Sequence, residues 1–293
     1  MTRERGEGGG RAAARRAAGD PGSGAGAASP DSGIAGGTGL LVLVDVGNTN
    51  TVLGVYRGDR MVESFRLTTA AERTADEYGA LLLPLFQRAG LEPREAEGVV
   101  VSSVVPPLDP VLEELARRFF GRTALFVEPG VKTGMPIRYD NPAEVGADRI
   151  VNALAARELY GAPVVVVDFG TATTFDVVNP AGEYAGGIIC PGIGISAEAL
   201  FAHASRLYRV DIRRPARLVG RNTAGAMQSG LYFGYVGLVD GILERLAGEL
   251  PGLRTVVATG GLAELIAGGS TRIERVEPLL TLIGLKLIHD RNR

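Results

Sequence analysis

Leu41-Val42-Leu43-Val44-Asp45-Val46-Gly47-Asn48-Thr49-Asn50-Thr51 returns later in the chain as Val164-Val165-Val166-Val167-Asp168-Phe169-Gly170-Thr171-Ala172-Thr173-Thr174. In both copies an apolar strand ends in Asp, Gly stands two residues on, and Thr follows four beyond that, so Asp45/Asp168, Gly47/Gly170 and Thr51/Thr174 keep one offset. A single such turn reads most simply as a β-hairpin. Two at matched places imply two halves of one architecture, each presenting a tight acidic turn to a shared cleft suited to nucleotide phosphates. Gly47 and Gly170 allow close backbone approach, and Asn48, Thr49, Asn50, Thr51, Thr171, Thr173 and Thr174 offer donors to phosphate oxygens. Asp45 and Asp168, at strand ends, are placed to hold a cation or its waters.

Working outward from the first copy, the pattern predicts strands to Asp45, from Thr51 to Tyr56 and from Met61 to Leu67, a meander broken by Arg57-Gly58-Asp59-Arg60. A helix follows from Thr74 to Ala89, with Thr74 and Glu77 as a capping box and Gly90 as a stop. A buried strand (Gly98 to Val105), a helix (Leu108 to Phe120) and a short strand (Ala124 to Val127) complete the half. Around the second copy the same grammar appears: strands Val164 to Asp168, Thr173 to Val178 and Glu183 to Ile189, a long small-residue-rich stretch from Thr223 to Leu250, a strand Thr255 to Ala258, and helices near Leu262 and from Leu279 to His289. The expected fold class is α/β: two duplicated βββαβα lobes with mixed sheets and an interlobe cleft. The expected division is a disordered tail at 1–38, an N-terminal lobe at 39–130, a loop-then-helix segment that binds a second ligand at 131–162, and a C-terminal lobe at 163–293.

Composition narrows the function. The 293 residues are 45% hydrophobic and 22% charged, an ordinary globular balance that permits two modest cored lobes. Basic residues number 31 against 33 acidic, a net charge of −2, and no basic block falls in the structured part, so the expected ligand is small and no nucleic-acid partner is indicated. Cys190 is the only cysteine, which excludes an internal disulfide framework and a Cys-based metal cluster and fits a reducing cytoplasm; it reads as a small core-lining residue. No run of about 18 apolar residues suggests a membrane span. Residues 1–38 are Gly, Ala, Arg, Ser and Pro with few large apolar side chains, too little to repay the entropy of ordering.

The chemistry is that of phosphate without a P-loop. No Gly-x-x-x-x-Gly-Lys occurs, Lys132 and Lys286 are the only lysines, and the protein-kinase constellation is missing. A triphosphate would therefore be met by backbone N–H groups, hydroxyls and metal ions. Thr259-Gly260-Gly261, after an apolar strand and before a helix, adds bare backbone facing a nucleotide. In Tyr139-Asp140-Asn141-Pro142-Ala143-Glu144-Val145-Gly146-Ala147-Asp148-Arg149, Asn141 and Pro142 read as the cap and first position of a helix. Asp148 and Arg149 just inside it have two readings: a surface ion pair, or a base and an anion holder for phosphoryl transfer to an alcohol. Pro191-Gly192-Ile193-Gly194 reads equally as a cover on the cleft or a plain loop. His203 and His289 have no second ligand at metal spacing and are assigned nothing.

Taken together, Asp45-Val46-Gly47-Asn48-Thr49, Ser103-Val104-Val105-Pro106, Asn141-Pro142 with Gly146-Ala147-Asp148-Arg149, Asp168 to Thr174, Gly186-Gly187 with Pro191-Gly192, and Thr259-Gly260-Gly261 resemble the type III pantothenate kinases over about Leu40 to Asp290. These are enzymes of coenzyme A synthesis in the acetate and sugar kinase, heat-shock chaperone and actin superfamily. The resemblance implies actin-like (ribonuclease H-like) lobes and ATP-dependent phosphorylation of pantothenate to 4′-phosphopantothenate with Mg²⁺. It implies that Asp45, Val46, Gly47, Asn48, Thr49, Asn50, Thr51, Val52 and Thr171 bind ATP, and that Asp168 holds a monovalent cation, K⁺ or NH₄⁺. Gly146, Ala147, Asp148 and Arg149 would bind pantothenate, with Asp148 as proton acceptor and Tyr139 lining the pocket. Thr223 would reach the substrate of the neighbouring subunit in a homodimer, with Ala224, Gly225, Ala226, Gly230, Gly234 and Gly237 as helix-approach surface. The added tail is a departure from the family's pattern. Two other readings stand beside this one: a kinase of the same superfamily with a sugar or short carboxylic acid as acceptor, and a nucleotide-switched binding protein with no small acceptor.

Overall fold

The structure, a computed structural model, describes residues 39–293, so the expected disorder of 1–38 lies outside the described residues. The repeat is built into two five-stranded mixed sheets. The first contains β1 (Leu40–Val46), β2 (Asn50–Arg57), β3 (Arg60–Thr68), β4 (Ala96–Ser103) and β5 (Ala124–Phe126), in the order β3-β2-β1-β4-β5. The second contains β6 (Val164–Phe169), β7 (Ala172–Val178), β8 (Tyr184–Pro191), β9 (Thr255–Thr259) and β10 (Arg275–Val276), and read from β8 its order is the same. In each, two antiparallel hairpins precede parallel strands returned by helices. The expected fold is borne out.

Why β1 and β6 read as unbroken apolar runs is plain from their two faces: each is the central strand, covered on both sides. Leu40, Val42, Val44 and Val46 face a core shared with α1 (Ala75–Arg88) and α2 (Asp109–Leu115, continued by a π-helical stretch to Phe120). Leu41 and Leu43 face the other way, into a core with Val164 and Val166 of β6, Val151 and Leu154 of α3 (Ala147–Tyr160), and Leu282, Leu285 and Ile288 of the final helix. Val165 and Val167 turn into a third core beneath the long helix Thr223–Glu249. α3 and the C-terminal helix thus lie between the sheets. The period of two in the strands fixes which side chain enters which core.

Two readings change at the helix starts. Asn141 does cap, accepting from the Ala143 amide, but the turn it caps is the separate 3₁₀ turn Pro142–Glu144. Helix α3 begins only at Ala147 with Gly146 as its cap, because Val145 returns to extended backbone. Pro191-Gly192-Ile193-Gly194 is not a loop: Pro191 ends β8, Gly192 caps α4 (Ile193–His203), and Ile193 is buried beneath it. The later helices are α5 (Thr223–Glu249), α6 (Ala263–Ala267) and α7 (Leu280–Arg291). The capping box at Thr74 is present, its hydroxyl accepting from Glu77 N and Glu77 accepting from Thr74 N.

Candidate active site

Both acidic turns are hairpins, and both also face one cleft. The β1–β2 turn pairs Asp45 with Val52 and Val46 with Thr51; the β6–β7 turn pairs Asp168 with Thr174 and Phe169 with Thr173. The second hairpin is one residue shorter, so the offset seen in the sequence slips at the tip: Thr51 corresponds to Thr173, and Val52 to Thr174. Both Thr51 and Thr173 are buried, whereas Val52 and Thr174 line the cleft. The tips touch through Thr49 Oγ1 and Thr171 Oγ1, 2.9 Å apart. Gly47 and Gly170 close the turns by donating to the carbonyls of Asn50 and Ala172, both at 3.0 Å.

The cleft holds about 630 Å³ and is walled by the first hairpin tip, Asp148 of α3, the second tip, and Thr259-Gly260-Gly261 after β9. Gly260 is needed there: its φ is +90°, and a Cβ would overlap Asp168 Oδ1 and the Phe169 carbonyl. Three half-buried carboxylates, Asp45, Asp148 and Asp168, share this space. Burial and then repulsion from Asp148 and Asp168 push Asp45 up to about 8; burial and then Asp148 and Asp176 push Asp168 up to about 7. Asp148 is also raised by burial, against the pull of the Arg149 amide and guanidinium. Added positive charge would relieve all three. Among the described residues no three acidic, His or Cys side chains stand at metal-holding distance from one another. The donor set therefore fits ions that take one or two carboxylates and complete their shell with water and phosphate oxygens, as Mg²⁺ does.

Helix α3 positions its charges by period. Gly146 leaves room for the Asp148 carboxylate, since a Cβ would stand 2.6 Å from Asp148 Oδ1, and that oxygen accepts from the Arg149 amide at 2.8 Å. The surface ion-pair reading of Asp148-Arg149 fails. Arg149 is 8% exposed and turns away to Asp176 of β7, Nε to Oδ1 at 2.7 Å. One turn on from Asp148, Asn152 donates to Asp168 Oδ2 at 3.1 Å and is steadied by Thr281 of α7 at 2.8 Å.

Of the residues singled out from the sequence, Asp45, Gly47, Asn48, Thr49, Asn50, Val52, Asp148, Asp168 and Thr171 line the cleft. Val46 does not: it is buried in the first core. The Thr51 hydroxyl lies under the hairpin, 2.9 Å from Thr69 Oγ1. Gly146, Ala147 and Arg149 stand behind Asp148, and Tyr139 packs beside Tyr184, with ring centroids 6.4 Å apart. Thr223 opens α5 away from this chain's cleft, following the Asn222 cap. Arg66 of β3 lines the cleft and was not anticipated, nor were Asn152 and Asp176. An i, i+4 reading from Asp148 would have found Asn152; nothing local marks the other two.

Comparison with known proteins agrees with this geometry. Residues 41–245 match the family model for type III pantothenate kinase. The chain belongs to the type III pantothenate kinase family. It is 58% identical over 254 residues to the type III pantothenate kinase of Anaeromyxobacter sp. (strain Fw109-5), spanning 87% of this chain and 100% of that one. It is 57% identical over 253 residues to that of Myxococcus xanthus (strain DK1622), spanning 86% and 99%. Among solved structures it shares its fold with the ethanolamine utilization protein EutJ from Carboxydothermus hydrogenoformans, at a TM-score of 0.50 and 15% identity over 84% of this chain and 89% of that one.

Proposed function

We propose that this chain transfers the γ-phosphoryl group of ATP to the primary hydroxyl of pantothenate, giving 4′-phosphopantothenate and ADP, the entry to coenzyme A synthesis. The observation that carries it is Asp148, a half-buried carboxylate at the start of α3 that faces the cleft between two phosphate-turn hairpins. ATP would lie with its phosphates along Gly47 to Asn50 and Thr171, and its nucleoside toward Gly260-Gly261. Asp148 takes the hydroxyl proton as the alcohol oxygen bonds to the γ-phosphorus and the bond to the β,γ-bridging oxygen breaks. Its raised proton affinity suits a base for an alcohol. Positioning contributes more than the base, because the transferring phosphoryl group is only loosely bonded at the transition state. Asp45 would hold Mg²⁺ and Asp168 a K⁺ or NH₄⁺ ion, each supplying neutralisation of phosphate charge when bound.

The active unit in this reading is a homodimer working in the cytoplasm, where ATP is available. A groove of about 480 Å³ on α4 and α5 is lined by Leu200, Ala226, Gly230, Leu231, Gly234 and Leu238, and among the described residues nothing would meet a Cβ at Gly230 or Gly234. Small residues at one helix turn's spacing suit close approach of a second α5, which would carry its Thr223 toward the partner's acceptor site.

The function is tested by incubating the purified chain with ATP, Mg²⁺ and, separately, pantothenate, hexoses and short hydroxy acids, with products identified by mass. Phosphorylated pantothenate is expected alone. Preference for a sugar or hydroxy acid would replace the acceptor, and ATP turnover with no phosphorylated acceptor would favour the nucleotide-switch reading.

A further inference from the structure

Arg149 is held in an unusual way for a buried guanidinium. An arginine carries five N–H donors, and its strongest partnership with a carboxylate uses two of them side by side. Here Asp176 takes only Nε. Nη2 is buried and has no partner among the described residues. It lies against the backbone of β8, where a Cβ on Gly187 would overlap it, and the guanidinium carbon stands 6.0 Å from the Tyr184 ring centre.

Asp176 itself accepts three hydrogen bonds. It is 0% exposed; Oδ1 accepts from Arg149 and from Tyr184 Oη at 2.8 Å, and Oδ2 accepts from Thr174 Oγ1 at 3.2 Å. Burying this ion pair is weak evidence for a stabilising role, since the desolvation cost rivals the attraction. What the arrangement does is hold the guanidinium through Nε and leave Nη2 uncommitted. An unpaired buried donor costs free energy until an acceptor arrives.

We propose that Asp176, held by Tyr184 and Thr174, is a positioning residue that presents the uncommitted Nη2 of Arg149 to the carboxylate of the acceptor and so sets selectivity for an anionic acceptor. This rests on the reading of the acceptor as pantothenate, whose carboxylate lies at the far end of the molecule from the reacting hydroxyl. Asp176 touches no reacting atom; it acts through Arg149.

The test compares pantothenate with its neutral carboxamide analogue, as the ratio of kcat/KM values, in wild type, Arg149→Gln, Asp176→Asn and Tyr184→Phe. Arg149→Gln and Asp176→Asn are each expected to lower the pantothenate value roughly ten- to hundredfold while sparing the carboxamide, with KM for ATP unchanged. Tyr184→Phe, which keeps the ring and removes one donor to Asp176, should lower the ratio about two- to tenfold, and it decides the matter if Asp176→Asn does not fold. Equal loss on both substrates in Asp176→Asn, or a wild-type ratio there or in Tyr184→Phe while Arg149→Gln collapses it, overturns the role of Asp176. A wild-type ratio in Arg149→Gln overturns the reading of Arg149 itself.

Discussion

Asp148→Asn keeps the size of the side chain and removes its ability to take a proton. It is expected to lower kcat roughly 10²–10⁴-fold with KM for ATP preserved, measured by steady-state kinetics; near-normal turnover would remove Asp148 from the chemistry. Gly260→Ala adds one methyl group where φ is +90° and Asp168 and Phe169 leave no room, so nucleotide affinity by calorimetry should fall sharply. Wild-type affinity would contradict that account of the turn. At this scale, what could be read from the sequence were side chains announced by their neighbours: Asp45 and Asp168 by the Asp-x-Gly turns, Asp148 by its odd place at an apolar helix start. Asp176 and Arg66 were not legible, because each enters the site through hairpin register, Asp176 opposite Val166 and Arg66 opposite Val52, which no local motif announces. The side chains of Val46 and Thr51 turn away from the cleft for a simpler reason: alternation along a strand points every second side chain inward.

At the scale of elements, caps and turns act locally and were correspondingly plain. Thr74→Ala removes the acceptor for the Glu77 amide at the start of α1 and should cost about 1 kcal/mol in chemical denaturation, leaving activity intact. No change in denaturation midpoint would show that the box is dispensable. The strands and long helices were legible from apolar period, Thr74 and Gly90 bracketing α1 as their chemistry requires. The start of α3 was not: Asn141-Pro142 carries a full capping signature yet is spent on a single 3₁₀ turn, and the helix that matters is capped by Gly146, which has no side chain to announce it. The one-residue difference between the hairpins was likewise hidden, since the register is set by pairing across the strands.

For the whole molecule, the duplicated order of strands was foreseeable from the repeat, whereas the sandwiching of α3 and α7 between the sheets depends on which faces of β1 and β6 are covered. Bringing carboxylates from both halves together has a cost that depends on pH. Asp45 and Asp168, held at about 8 and about 7 against an ordinary 3.8, keep protons in the folded chain that the unfolded chain releases. Their contribution to stability is therefore fullest near the unfolded value and is lost as pH rises through about 4 to 8. The Tm of the ligand-free protein should fall between about pH 5.5 and 8.5, with Mg²⁺ raising it more at the upper end; a flat profile insensitive to Mg²⁺ would contradict this electrostatic picture. Gly234→Arg, on the open face of α5, should yield a monomer by sedimentation with much reduced activity. A fully active dimer would place the interface elsewhere.

The most direct test of the central claim is the rate of ADP formation from ATP and Mg²⁺ with and without pantothenate, first in K⁺ and then in Na⁺. ADP should form only when pantothenate is present, and faster in K⁺. A rate indifferent to pantothenate would contradict the assignment.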